Sequence, residues 1–133
     1  REAAEYYASL FPDAGVGYVA TRPDGATDAA PGTVVFGEFR LAGQWFSMMD
    51  GGPAHDFGFD CGVSLDVRVA DQEELDRYWD ALSAVPEAEV CGWLADRYGL
   101  CWQVTPEDMG ELMARPGEYA KMMEMKKLII SDF

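Results

Sequence analysis

Few side chains in this 133-residue chain can do chemistry, and their spacing narrows what that chemistry is. Glu38 stands in the alternating run 33–41 (TVVFGEFRL), where Val34, Phe36 and Glu38 share one face of an extended strand. Trp45, Ser47 and Met49 join that face if 44–50 folds back around Ala42-Gly43, with Arg40 opposite Gly43. A carboxylate placed among such apolar neighbours can act as a general base. At a rim it would instead be solvated, or paired with Arg40 or Arg68. His55, the single histidine, lies beside Asp56 and near Asp60 in the irregular run 54–61, and reads as a surface imidazole. Cys61, Cys91 and Cys101 are odd in number and form no C-x-x-C, the pattern of reduced thiols in a cytoplasmic protein. Cys101 has no neighbouring cation to stabilise a thiolate and is expected to be inert. No Ser/His/Asp or Cys/His set is legible.

These groups need elements to position them, chiefly the stretch 91–106 (CGWLADRYGLCWQVTP). It reads as a hairpin turning at Asp96-Arg97-Tyr98-Gly99, since Gly99 accepts φ > 0 and Asp96 can bond back to the turn. With Asp96 paired to Gly99, Trp93 faces Trp102 and Leu94 faces Cys101. Both Trp then lie on the core face, towards a helix carrying Trp79, and Cys91 and Cys101 fall on opposite faces. Leu94, Cys101 and Gln103 line the other face.

Residues 2–11 carry Ala3, Tyr7, Leu10 and Phe11 at helical spacing, stopped by Pro12. Residues 15–21 follow as a strand and 22–32 as a loop. G-x-G-x-x-A at Gly15–Ala20 does not read as a nucleotide loop, because a helix precedes it and a strand follows. Residues 62–70 form a strand with Val63, Leu65, Val67 and Val69 on one face and Ser64, Asp66 and Arg68 on the other. Asp71 to Glu74 is a capping-box pattern opening a helix buried through Leu75, Tyr78, Trp79 and Leu82. A short strand at 88–90, helices at 107–114 and 117–127 and a β-like tail at 128–130 complete the chain. Met109, Met113, Met122, Met123 and Met125 read as core or subunit interface.

With 24 acidic against 10 basic residues and a net charge of −14, the chain shows, outside Lys121–Lys127, no basic face of the kind that nucleic acid or an anionic membrane requires. No apolar run approaches the ~20 residues of a membrane span, and no signal peptide opens the sequence.

The order helix, strand, hairpin from residue 2 repeats the order strand, helix, short strand, hairpin from residue 62. The two match if one strand precedes Arg1, which makes an internal duplication of a βαβββ unit. Asp96-Arg-Tyr-Gly99-Leu-Cys-Trp-Gln103 resembles the D-x-x-G-x-x-x-E segment of the vicinal oxygen chelate superfamily, which includes glyoxalase I, bleomycin-resistance proteins and extradiol dioxygenases. AAEYYASLF, the GG-P after the second hairpin, GVSLDVRVADQEELDRYWDALS and CGWLADRYGLCWQVTP more narrowly resemble its PhnB-like branch, whose members often carry the label 3-demethylubiquinone-9 3-methyltransferase. The chain is too short for a full methyltransferase fold, which leaves that label little weight.

The resemblance implies an α+β fold of paired βαβββ modules, 1–53 (lacking its first strand) and 62–106, within a single domain, forming a cup-shaped mixed sheet. Residues 107–133 follow as a helical segment and tail, and a homodimer is implied. The superfamily's metal-ligand positions map onto Ser47, Ser64 and Gln103, poor ligands for a divalent transition metal. No metal or other cofactor is therefore expected.

The expected function is metal-independent binding of a small molecule, or turnover of an unassigned substrate. The cup would be lined by Phe36, Glu38, Trp45, Ser47, Met49, Ser64, Leu94, Cys101 and Gln103. Its expected ligand is neutral or cationic and aromatic. The alternatives are a divalent-metal lyase or dioxygenase using the His55 segment, and non-catalytic sequestration of an aromatic compound.

Overall fold

The computed structural model describes residues 1–23, 32–51 and 56–133, and they form an α+β fold. The chain divides into two compact units, Arg1–Phe57 and Gly58–Phe133.

The first unit begins with α1 (Glu2–Leu10), whose first turn places Glu2 and Glu5 at the positive end of the helix. It buries Ala4 and Tyr7, so the apolar stripe is rotated from the expected one, and Ala3, Leu10 and Phe11 are only half-buried. The antiparallel sheet β1 (Gly15–Thr21), β2 (Val34–Leu41) and β3 (Gln44–Met49) turns Phe39 and Phe46 towards this helix. The Tyr7 and Phe39 rings lie 6.1 Å apart, and Phe39 stacks on Phe46 at 5.3 Å. The G-x-G-x-x-A segment is β1 itself, as the sequence order requires.

Ala42 (φ 46°) and Gly43 (φ 81°) are both left-handed, the geometry of a two-residue type I′ hairpin turn. Leu41 therefore pairs with Gln44, and Arg40 with Trp45 rather than with Gly43. The pairing moves by two residues, one full side-chain period, so the predicted faces survive. Arg40 forms an ion pair with Asp13 at 2.6 Å, while the Ala42 and Gly43 amides donate to the Pro12 and Asp13 carbonyls. This clip fastens the hairpin to the end of α1, and it takes Arg40 away from Glu38.

In the second unit β4 (Ser64–Val69) lies parallel to β6 (Cys101–Pro106), and β5 (Trp93–Ala95) pairs antiparallel with the other edge of β6. Between β4 and β5 runs α2 (Gln72–Leu82), capped as its sequence predicts. Asp71 Oδ1 accepts from the Glu74 amide at 2.9 Å, and Glu74 Oε2 accepts from the Ala70 amide at 3.1 Å. Leu75, Tyr78, Trp79 and Leu82 are all buried.

The hairpin around Gly99 departs from expectation by one residue. Leu94 pairs with Trp102, Trp93 with Gln103 and Ala95 with Cys101. The loop between paired Ala95 and Cys101 holds five residues, and within it the Asp96 amide donates to the Leu100 carbonyl at 3.0 Å. Asp96 Oδ1 accepts from the Tyr98 and Leu100 amides at 2.8 and 3.1 Å, and Oδ2 from Trp102 Nε1 at 2.8 Å. An odd slip exchanges faces on one arm. Trp102, Leu94 and Val104 form the core, each at most 1% exposed, and Trp93 turns to the opposite face with Gln103.

Three further expectations are corrected. Residues 88–90 form no strand; a 3₁₀ turn at Pro86–Ala88 leads to a single Val90–Trp93 bridge. The C-terminal helices are shorter, α3 at Met109–Met113 and α4 at Glu118–Glu124, and the tail ends in a 3₁₀ turn at Ile130–Asp132 instead of a strand. Cys61 and Cys101 are joined in a disulfide rather than reduced. The parallel pairing of Ser64 with Cys101 brings the turn before β4 alongside β6, a contact that a hairpin pattern does not contain.

Fully buried Leu128 anchors the tail. Gln72 donates to the Leu128 carbonyl at 3.2 Å and accepts from the Ile130 amide at 2.8 Å. Lys127 and Gln72 also bond Asp76 at 2.8 and 3.0 Å, which holds that carboxyl below its ordinary pKa.

Candidate functional site

The face of the second sheet opposite its core carries Ser64, Asp66 and Arg68 on β4, Gln103 and Thr105 on β6, and Trp93 on β5. Most of these groups are bonded to one another. Gln103 Nε2 donates to Ser64 Oγ at 2.9 Å, and Thr105 Oγ1 donates to Asp66 Oδ1 at 2.7 Å. Arg68 Nε donates to Asp66 Oδ2 at 2.5 Å. Both Asp66 oxygens are thus engaged, and the Asp66–Arg68 pair is formally neutral. The Arg68 guanidinium, half-exposed, has Nη donors left for an acceptor on a ligand.

Above this floor stand Met109 and Met113 of α3 with Tyr119, Met122 and Met123 of α4. Val90 and Cys91 also line the groove, which is open to solvent and measures about 530 Å³. That volume suits a small organic molecule, and a mostly apolar lining with a few convergent polar groups is the usual make-up of such sites. The groove lies wholly within the second unit.

The expected cup residues divide between the two units. Phe36, Glu38, Trp45, Ser47 and Met49 do share one face of the first sheet, the face turned away from α1. Trp45 (54% exposed) lies across Gly17, where an added Cβ would come within 2.8 Å of its ring. Glu38 is half-buried opposite Ser47 and forms no hydrogen bond or ion pair among the described residues. In the second unit Gln103 lines the groove, and Ser64 is bonded to it. Leu94 does not belong to the site: the one-residue slip places it in the core. Cys101 shares the sheet face but is buried, and its disulfide removes it as a nucleophile. His55 lies outside the described residues. Among those residues no group of three His, Cys, Asp or Glu is placed to hold a metal ion.

Trp93, Thr105, Tyr119, Cys91 and the methionines were not expected in a site. A five-residue loop in the hairpin would have revealed Trp93. The Met cluster was visible in the sequence, but not which side of the sheet it covers.

A family model described as 3-demethylubiquinone-9 3-methyltransferase matches residues 1–105. Among solved structures, the PhnB protein from Bacillus cereus is 30% identical over 79% of this chain and 88% of its own, with a TM-score of 0.68. A protein from Staphylococcus aureus is 28% identical over 77% of this chain and 82% of its own, with a TM-score of 0.31. No curated protein matches.

Proposed function

The chain belongs to the 3-demethylubiquinone-9 3-methyltransferase family in its PhnB-like form, and from that premise we propose that it is a small-molecule-binding protein of the vicinal oxygen chelate type that works without a divalent metal. The groove of the second unit is its ligand site. One observation carries the reading: a floor of Trp93 and mutually bonded polar groups, with spare Arg68 donors, lies beneath Tyr119 and four thioethers. Such a lining favours a ring-bearing, mostly apolar molecule with one or two hydrogen-bonding groups. A surface of net charge −14 favours neutral or cationic forms over anions.

Sequestration of an aromatic compound and its turnover both fit this site. Glu38, the base expected from the sequence, stands on the first sheet and does not line the groove. Glu38→Gln should therefore leave ligand binding to the groove unchanged, and a loss of binding would tie the ligand to the first sheet. The exposed apolar face of the first sheet, with Tyr18, Trp45 and Met49, supports a homodimer. A monomer by light scattering at micromolar concentration would remove that part of the reading. No helix among the described residues is long and apolar enough to cross a membrane.

The superfamily's metal positions do not fit a divalent ion here, since Ser64 and Gln103 are hydrogen-bonded to each other and neither supplies an anionic ligand. Purified protein should therefore carry no stoichiometric Zn, Ni, Fe or Mn. Metal analysis finding about one equivalent per chain, lost on Gln103→Ala, would restore the metal-enzyme alternative.

The binding test uses 2-naphthol and 2-naphthylmethylamine as neutral and cationic probes. Both should quench tryptophan fluorescence and raise the melting temperature, whereas nucleotides and sugar phosphates should do neither. Trp93→Ala should weaken probe binding about tenfold or more, the effect of ~1.4 kcal/mol of lost aromatic contact. Undiminished affinity in Trp93→Ala would move the site elsewhere.

A further inference from the structure

The sulfur atoms of the groove are not explained by an organic ligand alone. Cys91 is a free thiol, and its Sγ lies 3.5 Å from Sδ of Met123. Met109, Met113 and Met122 line the same groove, which brings one thiol and four thioethers around a single space. They come from three elements, the turn before β5 and the helices α3 and α4, so helical periodicity does not account for the convergence.

We propose that this cluster is a site for one soft monovalent cation, Cu(I), held by Cys91 Sγ and Met123 Sδ, with a further thioether drawn from Met109, Met113 or Met122. Thiolate and thioether ligands select Cu(I) over the harder divalent ions. Two sulfurs each ~2.3 Å from one tetrahedral metal stand ~3.8 Å apart, so the pair needs to open by only a few tenths of an ångström. The thiol is held in place by the backbone. The Cys91 amide donates to the Met125 carbonyl and the Gly92 amide to the Lys126 carbonyl, both at 2.8 Å, which ties Cys91 to the segment leaving α4. Harder ions find little here. Asp66, the carboxylate lining the groove, is already bonded by Arg68 and Thr105.

Binding replaces the S–H bond of Cys91 with an S–Cu bond and releases that proton to solvent, with no change of oxidation state. The strongly acidic surface assists the approach of a cation. This site goes beyond the organic-ligand reading and does not depend on it.

The test is anaerobic competition for Cu(I) between the intact protein and bicinchoninate, with ascorbate as reductant so that the Cys61–Cys101 disulfide is preserved. One equivalent of Cu(I) should transfer to the protein. Cys91→Ser should abolish the transfer. Met123→Leu, at a half-exposed position that tolerates the change, should weaken it at least tenfold, and Met49→Leu in the first unit should leave it unaltered. Wild-type affinity in Met123→Leu would reduce the site to a lone reactive thiol and overturn the proposal, as would transfer retained in Cys91→Ser. No organic ligand enters the measurement, so failure here leaves the naphthalene-probe result standing, and the converse holds.

Discussion

Replacing Trp102 with alanine lowers the free energy of unfolding in urea by about 3–5 kcal/mol, the usual cost of emptying a buried indole. Trp102 is 1% exposed, pairs with Leu94 on the inner face of the second sheet, and packs in the layer beneath α2. Its Nε1 also donates to Asp96, so the substitution removes a buried hydrogen bond together with the packing. A loss below about 1 kcal/mol would mean that Trp102 lies on the other face, and Trp93 would then leave the groove.

The second large effect belongs to Asp96. Its carboxylate is 1% exposed and receives the Tyr98 and Leu100 amides and the Trp102 indole N–H. Each hydrogen bond to a charged acceptor is worth about 1.5–3 kcal/mol, and truncation orphans the donors besides. Asp96→Ala should therefore cost about 3–5 kcal/mol, and Asp96→Asn, which keeps one acceptor oxygen, about half as much. A double-mutant cycle of Asp96→Asn with Trp102→Phe should give a coupling of about 1–2 kcal/mol. Additive effects would show that the indole bond contributes nothing, and that the five-residue loop is held by its backbone alone.

Asp96 also shows where sequence reasoning stopped. The turn, its Gly99 and the role of Asp96 were legible, because turn chemistry is local. The loop length was not, since four and five residues both suit that chemistry and the choice depends on what becomes of the Trp102 indole. One residue of slip moved Leu94 into the core and Trp93 into the groove. The β2–β3 hairpin was also mispaired, but by two residues, and its face assignments survived intact. In α2 the cap and the buried stripe were both legible, because a 3.6-residue period with a capping box has one reading. The Cys61–Cys101 bridge and the groove depend on β4 lying parallel to β6 and on where α3 and α4 rest. Those contacts span long stretches of chain and leave no periodic mark.

A ligand in the groove of the second unit is reported directly by the seven methionines. Met48 and Met49 lie in the first sheet, while Met109, Met113, Met122 and Met123 line the groove. Methyl spectra of protein labelled with ¹³C-methyl methionine, recorded during titration with 2-naphthylmethylamine, separate the two sets. The groove predicts that Met109, Met113, Met122 and Met123 shift together while Met48 and Met49 stay in place. Shifts confined to Met48 and Met49 would contradict it and put the ligand on the first sheet.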